Sequence, residues 1–104
     1  LIDFEFCGDN EPTYELGLFF CEMFYDDEEM LPMIEAYYGR IDPHALARIR
    51  VSRVMGDLKW GMWGIINSVV RDVGFDYWKY GIWKLMRAKT YQHSIDWDAS
   101  KLAI

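Results

Sequence analysis

The chain has 104 residues, of which 11 are basic and 17 acidic, so that its net charge at pH 7 is −6, and 52% of its residues are hydrophobic. This acidic balance excludes a surface built to bind nucleic acid, because the phosphate backbone would be repelled. The hydrophobic content predicts a packed core rather than disorder. Charged residues interrupt the apolar stretches well before the roughly 20 residues that a membrane-spanning helix requires, so we expect no membrane span.

The first six residues, Leu1 to Phe6, alternate in polarity, which predicts a β-strand. A single strand has no neighbour with which to form a sheet. We therefore expect that further residues of the same protein precede Leu1. A chain of this length is also too short for a two-lobed nucleotide-dependent enzyme, and we expect it to form one helical unit, residues 1–104.

Two helices are predicted in the first half of the chain. The first runs from about Thr13 to Tyr25 and is apolar nearly all round, which is typical of a helix enclosed within a larger protein. The acidic run from Asp26 to Glu29 follows and suits the start of a second helix, where negative charge interacts favourably with the helix dipole. That second helix extends to about Tyr38 and is closed by Gly39.

A long third helix is predicted from Asp42, which is a capping residue followed by Pro43 at the first helical position. Nothing in the sequence forces a break before Val73, and Gly74 is the predicted end. The apolar residues on one stripe of this helix are Val51, Met55, Leu58, Met62, Ile65, Ile66, Val69 and Val73. This stripe predicts the face that packs on the core.

The remaining sequence predicts one more long helix and a short tail. Asp76 can cap a helix that runs through about Gln92. The tail extends from Asp96 to Ile104.

Two carboxylates, on Asp3 and Glu5, lie two positions apart in the predicted strand and therefore point to the same side. Mg²⁺ is commonly held by one or two carboxylates, with water and phosphate oxygens completing its shell. The pair is a candidate metal site. A solvated acidic pair on an edge strand is the alternative, and the spacing does not distinguish the two.

Trp60 and Trp63 are three residues apart and so are neighbours on the surface of the third helix. Trp60 lies nearly opposite the apolar stripe, on a face that carries the small or polar residues Gly56, Gly64 and Asn67. Two large rings beside such residues can line a pocket. They can equally form a second packing face of a helix that is buried on both sides.

Several kinds of site have no support in this sequence. No glycine-rich phosphate-binding motif occurs, so nothing in the chain can cradle a nucleotide triphosphate. His44 and His93 have no metal-ligating partner at ligand spacing. Cys7 and Cys21 do not have the spacing of a disulfide-rich domain, so we expect reduced thiols and a cytoplasmic protein.

The order of these segments resembles the choline/ethanolamine kinase family, which shares the protein-kinase-like fold with the aminoglycoside phosphotransferases. The matching segments are Leu1-Ile2-Asp3-Phe4-Glu5-Phe6, Asn10, Phe20-Cys21-Glu22, Trp60-Gly61-Met62-Trp63-Gly64 and Phe75-Asp76-Tyr77-Trp78-Lys79-Tyr80. The resemblance covers the chain from Leu1 to about Tyr91. It implies a mainly α fold, the carboxyl-terminal substrate-binding helical part of a kinase C-lobe, which opens with one β-strand.

The resemblance also implies an activity and a set of site residues. The reaction is phosphorylation of the hydroxyl of a small amino alcohol, choline or ethanolamine, by ATP with Mg²⁺. Asp3 and Glu5 correspond to the family's catalytic metal-binding residues. Phe6, Trp60, Trp63 and Tyr80 correspond to walls of the choline pocket, and Glu22 to the carboxylate that neutralises the ammonium. The family's catalytic loop and its ATP-binding lobe lie upstream of the position of Asp3, so the chain as given is not catalytically complete.

Two positions depart from the family pattern: Phe6 stands where the family often has Tyr, and Glu15 where it often has Asp. A ring remains at the first position and a carboxylate at the second. Two other functions stay open. One is an aminoglycoside or other small-alcohol phosphotransferase of the same fold, and the other is a helical binding module without catalytic activity.

Overall fold

The computed structural model describes residues 2–3 and 7–104, and in this part of the chain five helices follow one another without any strand. The helices are α1 (Pro12–Glu22), α2 (Asp27–Tyr38), α3 (Pro43–Val70), α4 (Tyr77–Ser94) and α5 (Trp97–Leu102). The expectation of a mainly helical protein is thus confirmed. Among the described helices, none is both long enough and apolar enough to cross a membrane.

The predicted starts of α3 and α4 are confirmed by their capping hydrogen bonds. Asp42 accepts a hydrogen bond from the backbone N–H of Ala45, with Pro43 at the first helical position. The Asp76 side chain caps α4 through the N–H of Lys79. These bonds satisfy N–H groups that have no partner within the helix, which explains why each helix begins where it does.

The opening strand is not seen in the described residues. Ile2 and Asp3 belong to no strand, and Asp3 has a φ of 70°. The other four residues of the predicted strand, Leu1, Phe4, Glu5 and Phe6, lie outside the described residues.

The end of α1 differs from the prediction, because the helix stops at Glu22 and not at Tyr25. Phe24 adopts the left-handed conformation with a φ of 58°. Its N–H donates to the carbonyl of Cys21 at 3.1 Å, and the N–H of Tyr25 donates to the carbonyl of Phe20 at 3.0 Å. These two bonds form a Schellman motif. The motif turns the chain sharply and leaves Glu22 at the last helical position.

The third helix also ends earlier than predicted, at Val70 instead of Val73. Arg71 is already extended, with φ −115° and ψ 131°. Val69 and Val73 are 83% and 58% exposed. Because tertiary packing supplies most of the stability of a helix in a protein, a segment without such contacts has little to keep it helical.

The apolar core lies where α1, α2 and the first half of α3 meet. Its buried side chains are Phe20, Met30, Ile34 and Ile49. Helix α3, which at 28 residues is about 42 Å long, continues beyond this core and packs its second half against α4. The chain is therefore organised around α3.

The apolar stripe of α3 was predicted to face the core, and this prediction was wrong for most of the helix. Met55, Met62, Ile66 and Val69 of that stripe are more than half exposed. The buried side of the same stretch carries the small and polar residues Gly56, Asp57, Gly61, Gly64 and Asn67 instead. Periodicity identifies an apolar face, but the partner helix covers the face that allows the closest approach.

That close approach is made by three glycines, Gly61 and Gly64 of α3 and Gly81 of α4. A Cβ atom placed on Gly64 would lie 2.8 Å from the Cα of Gly81. A Cβ atom placed on Gly81 would lie 2.7 Å from the carbonyl oxygen of Gly61 and 2.9 Å from the backbone N of Ile65. Any side chain at this crossing would separate the two helices.

Gly81→Ala is therefore expected to destabilise the protein by about 2 kcal/mol. Overpacking costs about 1–3 kcal/mol, at the upper end here because both clashing atoms belong to the backbone. Replacing glycine by alanine in a helix interior stabilises the helix by about 1 kcal/mol, which offsets part of this cost. Urea unfolding followed by circular dichroism measures the difference, and Gly74→Ala is the control, because no atom lies within 4 Å of its added Cβ. A Gly81→Ala protein as stable as wild type would contradict the close approach of α3 and α4 at Gly81.

Candidate functional site

The aromatic residues predicted to wall a pocket come together at the crossing of α3 and α4. The ring centroids of Trp60 and Trp63 are 5.7 Å apart, and those of Trp63 and Tyr80 are 5.9 Å apart. Both pairs meet edge to face, at interplanar angles of 74° and 77°. Trp63 is thus the central ring. Its fractional exposure of 36% shows that it is not sealed into a core.

Two further rings join this cluster, that of Phe75 from the segment between α3 and α4 and that of Tyr77 from the first position of α4. The centroid of Tyr77 is 5.5 Å from that of Trp63, and Phe75 lies 4.8 Å from Tyr77 and 6.0 Å from Tyr80. Both residues belong to the segment that carries the family resemblance, but no role followed for them from the sequence. Their position immediately before and after the Asp76 cap is the signal that could have identified them. We call these five rings the aromatic cluster.

Glu22, the predicted counter-charge, lies at the carboxyl end of α1 and faces two cations of α4. Its Oε1 atom accepts hydrogen bonds from the ammonium of Lys84 and from Nη2 of Arg87, the latter at 2.9 Å. The Lys84 ammonium also lies 5.3 Å from the ring centroid of Tyr80. Glu22 is therefore connected to the aromatic cluster through Lys84.

Behind Glu22, a buried ion pair joins α3 to α4. Arg87 donates from Nε and from Nη2 to the two carboxylate oxygens of Asp57, at 2.7 Å each. Its Nη1 donates to the backbone carbonyl of Cys21 at 3.0 Å. One guanidinium thus holds three helices, and it reaches both the carboxylate and the backbone at the end of α1. The sequence contained no local signal for this arrangement, because its members are 30 to 66 residues apart.

The charges of this region follow from those contacts. Partial burial raises the pKa of Glu22, but the hydrogen bonds from Lys84 and Arg87 outweigh it, so that the pKa lies below its ordinary value. Burial, reinforced by the neighbouring Asp57 carboxylate, raises the pKa of the Cys21 thiol to about 12. Cys21 is a neutral thiol that donates to Oδ2 of Asp57 at 3.2 Å. It is a structural residue, not a nucleophile.

A groove of about 920 Å³ opens on the other side of Glu22, between the turn that follows α1 and the outer face of α4. Glu22 and Lys84 line it, but Trp60, Trp63 and Tyr80 do not. Its remaining charged and aromatic lining includes Phe24, Asp26, Asp27, Glu28, Trp83 and Tyr91. Glu22 therefore lies between two features, the aromatic cluster and this groove.

The predicted metal-binding residues are only partly described. Asp3 is exposed, and its side chain has the hard carboxylate oxygens that Mg²⁺ prefers. Glu5 and Phe6 lie outside the described residues. Within residues 2–3 and 7–104, no group of three or more His, Cys, Asp or Glu side chains is arranged to hold a metal ion. Asp3 thus fits Mg²⁺ by its chemistry, as one carboxylate of a shell completed by other ligands.

Two curated proteins from Arabidopsis thaliana are similar to this chain. Probable choline kinase 2 is 26% identical over 104 aligned positions, and Probable choline kinase 1 is 29% identical over 105. Each alignment covers 77% of this chain and 30% of the relative, so the chain spans less than a third of the relatives' length. No protein-family profile and no solved structure matches it.

Proposed function

We propose that this chain forms the amine-binding part of an ATP-dependent kinase that phosphorylates the hydroxyl of choline or ethanolamine. The observation that carries this proposal is the aromatic cluster, in which Trp60, Trp63 and Tyr80 converge from two helices and to which Glu22 is connected through Lys84. The similarity to two proteins named as probable choline kinases supports a kinase-like function independently of this geometry.

The chemistry of the substrate explains why rings are needed. A quaternary ammonium cannot donate a hydrogen bond, so ring faces hold it by cation-π attraction, which is worth about 2 kcal/mol or more once water is excluded. A primary ammonium can donate, and a carboxylate such as Glu22 then supplies charged hydrogen bonds. Phe6 is proposed to complete the wall.

In this proposal Asp3 and Glu5 hold Mg²⁺, and the residues that bind most of the ATP belong to the preceding part of the protein. Bound Mg²⁺ would neutralise charge on the phosphates during transfer. The aromatic cluster orients the amino alcohol by its ammonium end. The hydroxyl at the opposite end is thereby presented to the reacting phosphate.

Trp63→Ala tests the proposal in the protein that carries this chain. Removing one desolvated ring face should lower kcat/KM for choline about ten- to thirtyfold, equivalent to about 1.4–2 kcal/mol. The KM for ATP should hardly change, because in this proposal the ring contacts the amine and not the nucleotide. Steady-state kinetics with each substrate varied in turn measures both effects.

Trp78→Ala is the matched control, because Trp78 lies on α4 with 57% of its surface exposed and is not a member of the aromatic cluster. Glu22→Gln should lower kcat/KM for ethanolamine more than for choline, because only the primary ammonium donates hydrogen bonds to the carboxylate. If Trp63→Ala lowers stability without changing the selectivity among amines, the two tryptophans are packing residues and the proposal fails.

A second candidate, an aminoglycoside phosphotransferase, is favoured by one observation. The groove beside Glu22 is large and is lined by four carboxylates, those of Glu22, Asp26, Asp27 and Glu28, together with the cations Arg53, Lys84 and Arg87. Polyamine sugars are bound by acidic groups spread over a wide pocket. Turnover of an aminoglycoside that survives Trp63→Ala unchanged would support this candidate over the first.

A further inference from the structure

The ammonium of Lys84 lies where the proposed amine site requires a cation. It is hydrogen-bonded to the carboxylate of Glu22 and lies 5.3 Å from the ring centroid of Tyr80, within cation-π range. Those are two of the groups assigned above to the substrate ammonium. The Lys84 side chain is only 12% exposed, so it is packed into this position and does not extend into solvent.

The charges around Glu22 are already balanced. Glu22 and Asp57 contribute two carboxylates, and Lys84 and Arg87 contribute two cations that are hydrogen-bonded to them. A substrate ammonium that approached Glu22 in this arrangement would meet a neutralised carboxylate. It would gain little attraction unless one of the two cations withdrew.

Arg87 cannot withdraw easily, whereas Lys84 can. Arg87 donates four hydrogen bonds, two of them to the buried Asp57. The ammonium of Lys84 is held by a single carboxylate, that of Glu22, at the end of a flexible four-carbon chain. Lys84 also lines the 920 Å³ groove, into which its side chain can swing without unfolding any helix.

We propose that Lys84 is an internal cation which occupies the ammonium position in the free protein and which an amine substrate must displace. This inference rests on the proposed function. Lys84 then sets the affinity for amines, because part of the binding free energy of every substrate is used to break the contacts of Lys84 with Glu22 and Tyr80. An uncharged ligand in the same position would also have to displace Lys84, but it would leave the Glu22 carboxylate without a cation.

Lys84→Met tests the proposal in the protein that carries this chain, with three ligands measured by isothermal titration calorimetry. The ligands are choline, tetramethylammonium, and the uncharged analogue of choline in which carbon replaces nitrogen. The variant should bind choline and tetramethylammonium about three- to tenfold more tightly, which corresponds to the loss of one partly exposed ion pair. The uncharged analogue, which cannot pair with Glu22, should bind both proteins more weakly than choline does.

Two further variants complete the test. Lys89→Met makes the same charge change at an exposed position of α4 and should bind choline as wild type does. Lys84→Gln replaces Lys84→Met if the latter does not fold. If wild type binds choline and the folded Lys84 variant binds it no more tightly, the internal-cation proposal is wrong. Wild type that binds the uncharged analogue as tightly as choline would overturn it as well, because the position would then not require a cation. If neither wild type nor any variant binds choline, the proposed function fails and this inference falls with it.

Discussion

Arg87→Met is expected to destabilise the protein by about 3–5 kcal/mol, the largest loss of stability that we predict for a single substitution. The Asp57 side chain is 4% exposed and receives two hydrogen bonds from Arg87. Removing the guanidinium leaves this carboxylate buried without its cation, and a stranded buried charge costs far more than the intact pair contributes. Denaturant unfolding of both proteins at neutral pH gives the difference.

Two comparisons show whether the loss comes from the stranded charge. Lys101→Met breaks an ion pair with Asp98 that is exposed on both sides, and should change the stability by less than about 1 kcal/mol. The double variant Asp57→Leu, Arg87→Met removes both charges and should recover much of the loss. If Arg87→Met lowers the free energy of unfolding no more than Lys101→Met does, the hydrogen bonds of Arg87 do not hold the three helices together.

Asp3→Asn is expected to reduce turnover of choline about a hundredfold or more, if Asp3 holds the metal as proposed. The amide keeps the size of the side chain but loses the charge that binds Mg²⁺, whose stabilisation of the transferring phosphate is worth several kcal/mol. The backbone should tolerate the change, because Asp3 has a φ of 70° and Asn adopts such a conformation readily. The measurement is kcat over a series of Mg²⁺ concentrations with choline and ATP saturating.

Asp9→Asn is the control for this experiment, because Asp9 is exposed and lies only six residues further along the chain. Its kcat should equal that of wild type. Unchanged turnover of Asp3→Asn at saturating Mg²⁺ would remove Asp3 from the metal site. The aromatic cluster would then be the sole remaining support for a kinase site among the described residues.

The helix boundaries that the sequence determined correctly depend on contacts within a few residues. Asp42 and Asp76 each bond the N–H three residues ahead, and Gly39 closes α2 with a φ of 76°. These interactions need no other part of the chain, so the residue types suffice to predict them. The neighbouring positions of Trp60 and Trp63 follow for the same reason, since residues three apart on a helix are adjacent whatever surrounds it.

The features that connect the candidate site depend on which helix faces cross, and only the tertiary structure determined those. The glycines at the crossing bring α4 onto the glycine-bearing side of α3, and this contact places Tyr80 against Trp63. Lys84 then meets Glu22, a partner 62 residues away in the sequence. A pattern of apolar residues that repeats with the helix period identifies one face of a helix. Which helix faces approach closely, and which distant charges pair, depends on the packing of the whole chain.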